Sequence, residues 1–303
     1  MLPTIKNLTD FQALDLRHPA FIQATLTLME RYGLCGELRT PSNGSLPVVL
    51  VGTSHVIKFF PALFFEAHER EIKALVLLSH IKVPRLVAQG EHEGWRFVVM
   101  SQLAGASLKT LWPELSAHER QALGFETGQL LHEMHQLTLA PQEQGAWQSF
   151  LTEQNEKCVE HQRSKGTSEH WLAQIPAFLA RVSLPQGPIC FLHTEIMQEH
   201  VFAQKTNTAL ELTGFIDFEP SMRGHAEYDF ASVGLFLSRG EPTILRSFFA
   251  GYGNLSEAAS SEFKRRIMAY TLLHRYSRLK WYLEFMPSVE TLEEAAQKWW
   301  AID

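Results

Sequence analysis

The stretch FLHTEIMQEHVF, residues 191–202, combines two histidines and two glutamates with flanking apolar residues. Imidazole and carboxylate groups bind metal ions and transfer protons, so the residues that could do chemistry here are His193, Glu195 and His200. This spacing suits a metal-binding cluster or a catalytic loop, and it also suits an ordinary turn between a helix and a strand. The choice depends on the groups that other parts of the chain supply.

A lysine and a glutamate stand out in apolar surroundings earlier in the chain. Lys58 lies in HVIKFF, where a strand would place its ammonium on the same face as Val56 and Phe60. Burying that charge is costly without an anionic partner, whereas on an edge strand the ammonium would extend into water. Glu71 follows in the next helical segment. Strand lysine and then helix glutamate is the order of the ion pair that holds a kinase lysine against nucleotide phosphates.

Asp217 interrupts the apolar run in GFIDF. A buried carboxylate there needs a cation or a hydrogen-bond donor, so a divalent metal and a structural cap of the following loop are both possible partners. Kinases carry a His-x-Asp loop, a metal-binding Asn five residues after that Asp, and then a second metal-binding Asp. In this chain Glu195 stands at the position of the loop Asp and His200 at the position of the Asn.

Apolar periodicity and turn residues predict the elements that position these groups. Predicted helices cover residues 19–32, 65–80 and 116–137, the last with Ser116 and Glu119 spaced as in a capping box. Strand-like regions cover residues 42–60, 95–103 and 210–218, with turns at 43–45, 52–54 and 205–207. Residues 138–168 are predicted to form loops around short helices, and everything after about residue 228 is predicted to be helical.

Composition and charge narrow the function classes. The chain of 303 residues is 45% hydrophobic and 20% charged, as expected for a soluble globular protein. A formal net charge of −6 without a dense Lys/Arg block argues against nucleic acid as a partner. The three cysteines lack paired spacing, which argues against disulfides and a cysteine zinc site. No signal peptide and no membrane span is recognised, so we expect a cytoplasmic protein without a membrane partner.

The chain resembles the aminoglycoside phosphotransferase family, whose relatives include choline kinases, hygromycin phosphotransferases and protein kinases. The segments that carry the resemblance stand in the family's order: VIKFF, REIKALVLL, FVVMSQLAGASL, LLHEMHQL, HTEIMQEHVF, GFIDFEPSMRGHAEYDFA, FFAGYG and LLHRYSRL. The resemblance implies an α+β, bilobal, protein-kinase-like fold with a small antiparallel-sheet lobe and a larger, mainly helical lobe. It implies a nucleotide-binding lobe at residues 1–100, a hinge at 101–105, and a catalytic and substrate lobe at 106–303.

The resemblance also implies roles for individual residues. Nucleotide-binding roles fall to Ser45 in the loop over the phosphates, Lys58 on the α/β-phosphates, Glu71 as the partner of Lys58, and Met100, Gln102 and Leu103 around the adenine. Catalytic roles fall to His193 and Glu195, metal-binding roles to His200 and Asp217, and a bracing role for the catalytic loop to Asp229. The implied cofactors are Mg²⁺ or Mn²⁺ with ATP or GTP as phosphoryl donor. The implied acceptor is a hydroxyl group of an aminoglycoside-like molecule, an amino sugar or an amino alcohol.

Two departures from the family pattern bear on activity. Glutamate has almost the same intrinsic pKa as aspartate, but its extra methylene displaces the carboxylate of Glu195, and a misplacement of about 1 Å can cost on the order of 10²-fold in rate. Imidazole at His200 shifts metal preference from Mg²⁺ toward Mn²⁺ or Zn²⁺. A pseudokinase that binds nucleotide without transfer is therefore one alternative.

A zinc hydrolase is the other alternative. Its ligands would be His193, Glu195 and His200 together with the pair His132 and His135, which helical spacing can place on one face. HTEIMQEH is not a His-Glu-x-x-His motif, however. We expect His132 and His135 to pack against other residues or to face water.

Overall fold

The computed structural model describes residues 1–42, 44–137, 144–206 and 209–302. The chain forms two compact units, the first comprising Met1–Ala106 and Thr213–Ser221 and the second Ser107–Leu212 and Met222–Asp303. Asn43 and Asn207, which belong to two of the predicted turns, lie outside the described residues.

An antiparallel sheet of five strands forms the framework of the first unit. Its strands are β1 (Leu38–Arg39), β2 (Val48–Val51), β3 (His55–Phe60), β4 (Leu86–His92) and β5 (Trp95–Ser101), in the order β1-β2-β3-β5-β4. Lys58 on β3 pairs with Val48 of β2 on one side and with Val98 of β5 on the other. Because β3 is a central strand, the edge-strand interpretation of Lys58 is wrong.

Three helices accompany this sheet. They are α1 (Leu8–Gln12), α2 (Pro19–Tyr32) and α3 (Phe65–Leu77), with a 3₁₀ turn at Ala62–Phe64. The predicted helix over 19–32 is confirmed, and Pro19 occupies its first turn, where a missing N–H costs no hydrogen bond. Apolar side chains of α2 pack against the sheet in one core, in which Phe21, Phe59 and Trp95 meet. This packing fixes β3 and with it Lys58.

The second unit is mainly helical. Its helices are α4 (Leu108–Leu111), α5 (Ala117–His135), α6 (Gln144–Ser164), α7 (Glu169–Leu172), α8 (Ile175–Leu179), α9 (Glu227–Ser232), α10 (Pro242–Tyr252), α11 (Leu255–Ala258), α12 (Ser261–Leu273), α13 (Leu279–Phe285) and α14 (Leu292–Trp299), with a 3₁₀ turn at Trp112–Glu114 and a π-helix at Val233–Leu237. The helical prediction beyond residue 228 is confirmed. So is the capping box of α5, in which Ser116 and Glu119 bond each other's main-chain N–H groups. Among the described residues, no helix combines the length and the apolarity that crossing a membrane requires.

Short strands connect the helices and lead into the candidate site. They are β6 (Ala106–Ser107), β7 (Cys190–Leu192), β8 (Val201–Lys205), β9 (Leu210–Phe215) and β10 (Met222–Gly224), in sheets of order β6-β8-β9 and β10-β7. Strand β9 ends at Phe215, so Asp217 follows the strand instead of lying within it. His193 comes directly after β7.

Helix α6 corrects the prediction for residues 138–168. Loops around short helices were expected there, but a single helix covers Gln144–Ser164. Its buried residues Trp147, Leu151, Cys158 and Gln162 are separated by four, seven and four positions, which places them on one helix face. Most of its other positions are polar, so the apolar signal was too sparse to identify the helix. Residues 138–143 lie outside the described part of the chain.

Helices α5 and α10 approach closely because glycines line their contact. A Cβ added at Gly128 would collide with the carbonyl of Phe248, and one added at Gly251 would collide with the carbonyl of Phe125. This close approach places Tyr252 of α10 against His135 of α5.

Candidate active site

In the first unit, Lys58 lies among three carboxylates, and we call Lys58, Glu71, Asp217 and Glu219 the Lys58 cluster. Its Nζ lies 3.1 Å from Glu71 Oε2, 2.5 Å from Asp217 Oδ1 and 3.2 Å from Glu219 Oε2. The side chains of Lys58 and Glu71 are 7% and 1% exposed. The structure thus brings the predicted residues Lys58, Glu71 and Asp217 together and adds Glu219.

Three separate elements supply this cluster. Lys58 comes from β3, Glu71 from the middle of α3, and the other two carboxylates from the segment after β9. Asp217 has a φ of 72°, in the left-handed region that non-glycine residues seldom occupy. Strain of this kind is concentrated at functional sites. Arg70 holds the segment in place, since its Nε donates to the carbonyl of Glu219 over 2.7 Å.

The charges of the Lys58 cluster do not balance, because one ammonium meets three carboxylates. Burial lowers the pKa of Lys58, but Asp217, Glu71 and Glu219 outweigh burial and raise it well above its ordinary value. The lysine is therefore protonated at neutral pH. Burial raises the pKa of Glu71, and the two other carboxylates add to this effect against the opposing attraction of Lys58. The cluster therefore favours a further cation or a proton.

The oxygen atoms of the cluster fit a divalent cation. One carboxylate oxygen from each of Glu71, Asp217 and Glu219 lies within 4.8 Å of the others. Glu71 Oε1 and Glu219 Oε2 are buried and accept no hydrogen bond, although Glu219 Oε2 forms the ion pair with Lys58. Mg²⁺ and Mn²⁺ prefer carboxylate oxygens, so this set of donors suits either ion.

The predicted nucleotide-binding residues around β5 lie at its end and directly after it. Met100 is buried in β5 and pairs with Val56 of β3. The N–H of Gln102 donates to the carbonyl of Ser54 over 2.8 Å, while Leu103 follows and is half-buried. The Gln102 N–H could therefore donate to an adenine bound here only if its hydrogen bond to the Ser54 carbonyl opened.

Ser45, predicted to contact phosphate, is exposed and donates through its Oγ to Glu219 Oε1 over 3.2 Å. Glu219 therefore contacts both Ser45 and Lys58, the two side chains expected to bind phosphate. An internal carboxylate thus contacts the side chains for which the sequence resemblance implies phosphate binding.

In the second unit, residues 193–200 form the predicted catalytic loop between β7 and β8. The carboxylate of Asp229, buried in α9, accepts the N–H of His193 at Oδ2 over 2.9 Å and the N–H of Thr194 at Oδ1 over 2.6 Å. Thr194 has a φ of 74°, again in the left-handed region. Asp229 thus braces the loop, as the sequence resemblance implies.

The main chain on either side of Glu195 is also fixed. The N–H of Glu195 lies 3.3 Å from His193 Nδ1, and the N–H of Ile196 donates to Ser232 Oγ over 3.0 Å. Ser232 Oγ in turn donates to the carbonyl of Asp229. Glu195 itself is half-buried, so a rigid backbone presents a partly accessible carboxylate.

His200 has a defined tautomer. Its Nδ1 lies 2.9 Å from the carbonyl oxygen of Glu195. A carbonyl only accepts, so Nδ1 carries the proton, and Nε2 of the neutral ring carries the lone pair. Metal-binding histidines have this arrangement, in which one ring N–H donates to a main-chain carbonyl and the other nitrogen binds the ion.

Of the two histidines of α5, His135 contacts the carboxylate that holds the loop, whereas His132 does not. His135 Nε2 lies 3.0 Å from Asp229 Oδ2, and its Nδ1 lies 2.8 Å from Tyr252 Oη. His132 is exposed and packs edge-on against Tyr252. Within the described ranges, no group of three potential metal ligands includes either histidine. The zinc hydrolase interpretation therefore loses two of its ligands.

Comparison with known proteins identifies the family. The sequence model of the phosphotransferase enzyme family, APH, matches residues 37–264, which is more than half of the chain. The chain belongs to this family.

Solved structures of aminoglycoside phosphotransferases share its fold. The type VIII aminoglycoside-3′-phosphotransferase has a TM-score of 0.61 and 22% identity, and the match covers 84% of this chain and 98% of that one. APH(2″)-IIa, in a ternary complex with streptomycin and ATP, has a TM-score of 0.59 and 17% identity over 84% and 91% of the two chains. APH(3″)-Id from Streptomyces rimosus, in complex with ADP and streptomycin, has a TM-score of 0.58 and 18% identity over 84% and 98%.

These matches confirm the kinase-like fold predicted from the sequence, with an antiparallel-sheet unit and a mainly helical unit. Family membership and fold together support a phosphotransferase of the kinase type. At 17–22% identity the acceptor does not follow from these relatives.

Sequence reasoning missed two residues of the site. Glu219 lies two positions after Asp217, in a turn beyond the end of β9, and no strand alternation connects the two carboxylates. His135 was expected to pack or to face water, and its bonds to Asp229 and Tyr252 were not predicted. A histidine on the buried face of a helix needs polar partners, which is the signal that was available.

Proposed function

We propose that this protein transfers the γ-phosphoryl group of ATP or GTP to a hydroxyl group of a small molecule, with Mg²⁺ or Mn²⁺ as cofactor. The observation that carries the proposal is the Lys58 cluster, in which a buried, protonated lysine meets three carboxylates with two oxygens that accept no hydrogen bond. Residues 1–100 would bind the nucleotide, 101–105 would form a hinge, and 106–303 would supply the base and the acceptor site. We propose the cytoplasm as its compartment because ATP and GTP are available there.

The nucleotide phosphates would replace the internal carboxylate contacts of the Lys58 cluster. Lys58 stays charged in its buried position, so it can bind the α/β-phosphates as a fixed cation. Glu71 lies 3.1 Å from Nζ and would keep the lysine oriented. Ser45, which now donates to Glu219, would donate to a phosphate oxygen instead.

Asp217 and His200 are the metal ligands that the sequence resemblance implies, and Glu219 would add a carboxylate beside Asp217 in the first unit. Carboxylate oxygens suit Mg²⁺ and Mn²⁺, and the tautomer of His200 places its lone pair on Nε2. When bound, such an ion neutralises negative charge on the phosphates. The imidazole ligand favours Mn²⁺ over Mg²⁺, because Mn²⁺ binds nitrogen more readily.

Glu195 would accept the proton of the acceptor hydroxyl as general base. Phosphoryl transfer depends mainly on positioning and on charge neutralisation, and the loop around Glu195 is fixed by Asp229 and Ser232. His193 would orient Glu195, whose N–H lies 3.3 Å from His193 Nδ1. A nucleotide-binding protein without transfer activity is the second candidate, favoured by the glutamate and histidine at positions 195 and 200.

The test is an ADP- and GDP-release assay over aminoglycosides, amino sugars, amino alcohols and nucleosides, with Mg²⁺ and Mn²⁺ in parallel. We expect acceptor-dependent release with at least one acceptor, with a higher rate in Mn²⁺, and loss of release in Asp217→Asn. The matched control is Asp15→Asn, whose side chain is 63% exposed on the first unit. Release that is independent of every acceptor, or unchanged in Asp217→Asn, would contradict the proposal.

A further inference from the structure

His274 touches the predicted catalytic loop from a distant part of the chain. It follows α12 directly and is buried. Its Nε2 lies 3.1 Å from the carbonyl oxygen of Thr194, the residue between His193 and Glu195. Because the carbonyl can only accept, Nε2 carries the proton of this hydrogen bond.

The ring of His274 is held on its other sides as well. Its Nδ1 accepts the N–H of Tyr276 over 3.3 Å, which agrees with a proton on Nε2. The ring stacks on Tyr228 with a centroid distance of 4.8 Å and an interplanar angle of 21°. Tyr228 is fixed in turn, since its Oη accepts the N–H of Arg275. Both the tautomer and the orientation of the ring are therefore determined.

His274 is neutral at physiological pH. Burial lowers its pKa to about 4, and Arg275 adds to this effect, while the Thr194 carbonyl and Asp229 oppose it. A neutral ring can donate at Nε2 and accept at Nδ1 at the same time, which is what its two contacts require.

Thr194 needs such contacts because its conformation is unfavourable. A φ of 74° is rare for a β-branched residue. Asp229 binds the N–H of Thr194, and His274 binds its carbonyl, so the residue is held at both ends. The Thr194 carbonyl belongs to the peptide whose N–H is that of Glu195. A change in the ψ angle of Thr194 would turn this carbonyl and move the Cα of Glu195 with its carboxylate.

We propose that His274 is a positioning residue, which fixes the Thr194–Glu195 peptide and thereby sets where the Glu195 carboxylate lies. The inference rests on the proposed function in one respect, namely that Glu195 is the base. It predicts that the Nε2–H donor matters more for turnover than the ring that carries it.

Two substitutions separate the donor from the ring. In His274→Gln the amide nitrogen can reach the position of Nε2, whereas in His274→Asn the amide reaches only the position of Nδ1. Both remove the ring that stacks on Tyr228, and they differ from each other by one methylene. We expect His274→Asn to lower kcat by about 10²-fold at an unchanged nucleotide KM, and His274→Gln to stay within about threefold of wild type.

A purely structural role would give a different result. The two variants would then lose stability and activity alike, and this outcome would overturn the inference. Should His274→Asn fail to fold, a folded His274→Gln with activity 10²-fold below wild type would also overturn it. Adding His274→Asn to Glu195→Gln should lower kcat little further, because residues that act as a unit are not additive. A full additional 10²-fold loss would count against action through Glu195.

Hydrogen exchange keeps this inference separate from the proposed function. Exchange of the Thr194 and Glu195 amide protons should be faster in His274→Asn than in His274→Gln, whether or not the protein transfers phosphate. If wild type shows no transfer while this difference is found, the proposed function fails and the positioning contact stands. Equal exchange in the two variants would overturn the positioning contact itself.

Discussion

Replacement of Asp229 by asparagine tests how the predicted catalytic loop is held. The carboxylate accepts three hydrogen bonds, from the N–H groups of His193 and Thr194 and from the ring of His135. Asparagine keeps the shape but turns one oxygen into an NH₂ group, which cannot accept. The least harmful orientation puts this group at the Oδ1 position, because Oδ2 accepts two of the three bonds. The N–H of Thr194 would then face another donor.

The expected loss follows from these three contacts. A hydrogen bond to a charged group contributes about 1.5–3 kcal/mol, and one between neutral groups contributes about 1 kcal/mol. Asp229→Asn loses one charged bond and weakens two others by about 1 kcal/mol each. We therefore expect the free energy of unfolding to fall by about 4 kcal/mol, with a lower kcat because the loop carries Glu195.

Urea unfolding of wild type, Asp229→Asn and the exposed control Asp15→Asn measures this difference. The control should stay within about 0.5 kcal/mol of wild type, as surface substitutions do. A loss below about 1 kcal/mol in Asp229→Asn, or a loss equal to that of the control, would refute the bracing role of Asp229.

Three further predictions follow from the buried charges and the loop. Lys58→Met should abolish most of the nucleotide-induced rise in Tm. The variant should stay folded, because Glu71, whose pKa burial already raises, can take up a proton. The exposed control Lys73→Met should keep the rise in Tm, and an equal loss in both variants would contradict the assignment of Lys58 to nucleotide binding. Glu195→Asp should retain or raise kcat, since aspartate restores the reach of the family's base, so a 10²-fold fall in a steady-state assay would count against that role. Burial lowers the pKa of His225 and of His274 from 6.5 to about 4. The unfolded chain binds protons at these positions between pH 6.5 and 4 while the folded chain does not, so the free energy of unfolding should fall by about 2 kcal/mol per histidine from pH 7 to pH 5. In urea unfolding, His225→Leu should remove about half of the combined fall that the two histidines cause. An unchanged fall would contradict burial of His225 as a cause.

The parts of the fold and site that were predictable depend on local sequence. Pro19 and the Ser116–Glu119 capping box mark helix starts through contacts a few residues apart. Lys58 could be identified because an ammonium among apolar strand residues requires a partner, and the structure supplies three carboxylates.

The remaining parts depend on contacts between distant residues. His274 is 80 positions from Thr194, and His135 is 94 positions from Asp229. Each is one histidine on a helix or at its end, and the sequence does not show which loop it contacts. Glu219 precedes a proline and looked like an ordinary loop residue until the fold placed it beside Lys58 and Ser45.

The most direct test of the central claim is the amount of γ-phosphate transferred to an acceptor hydroxyl by wild type and by Glu195→Gln, with labelled nucleotide and Mn²⁺ over the acceptor panel. Glutamine keeps the size of Glu195 but removes its basic carboxylate, so transfer should fall by about 10²-fold or more while nucleotide affinity changes little. The double variant Glu195→Asp with His200→Asn restores the family's residue types and should transfer phosphate with Mg²⁺ as well. If neither wild type nor this double variant transfers phosphate to any acceptor, the account is contradicted and the nucleotide-binding alternative takes its place.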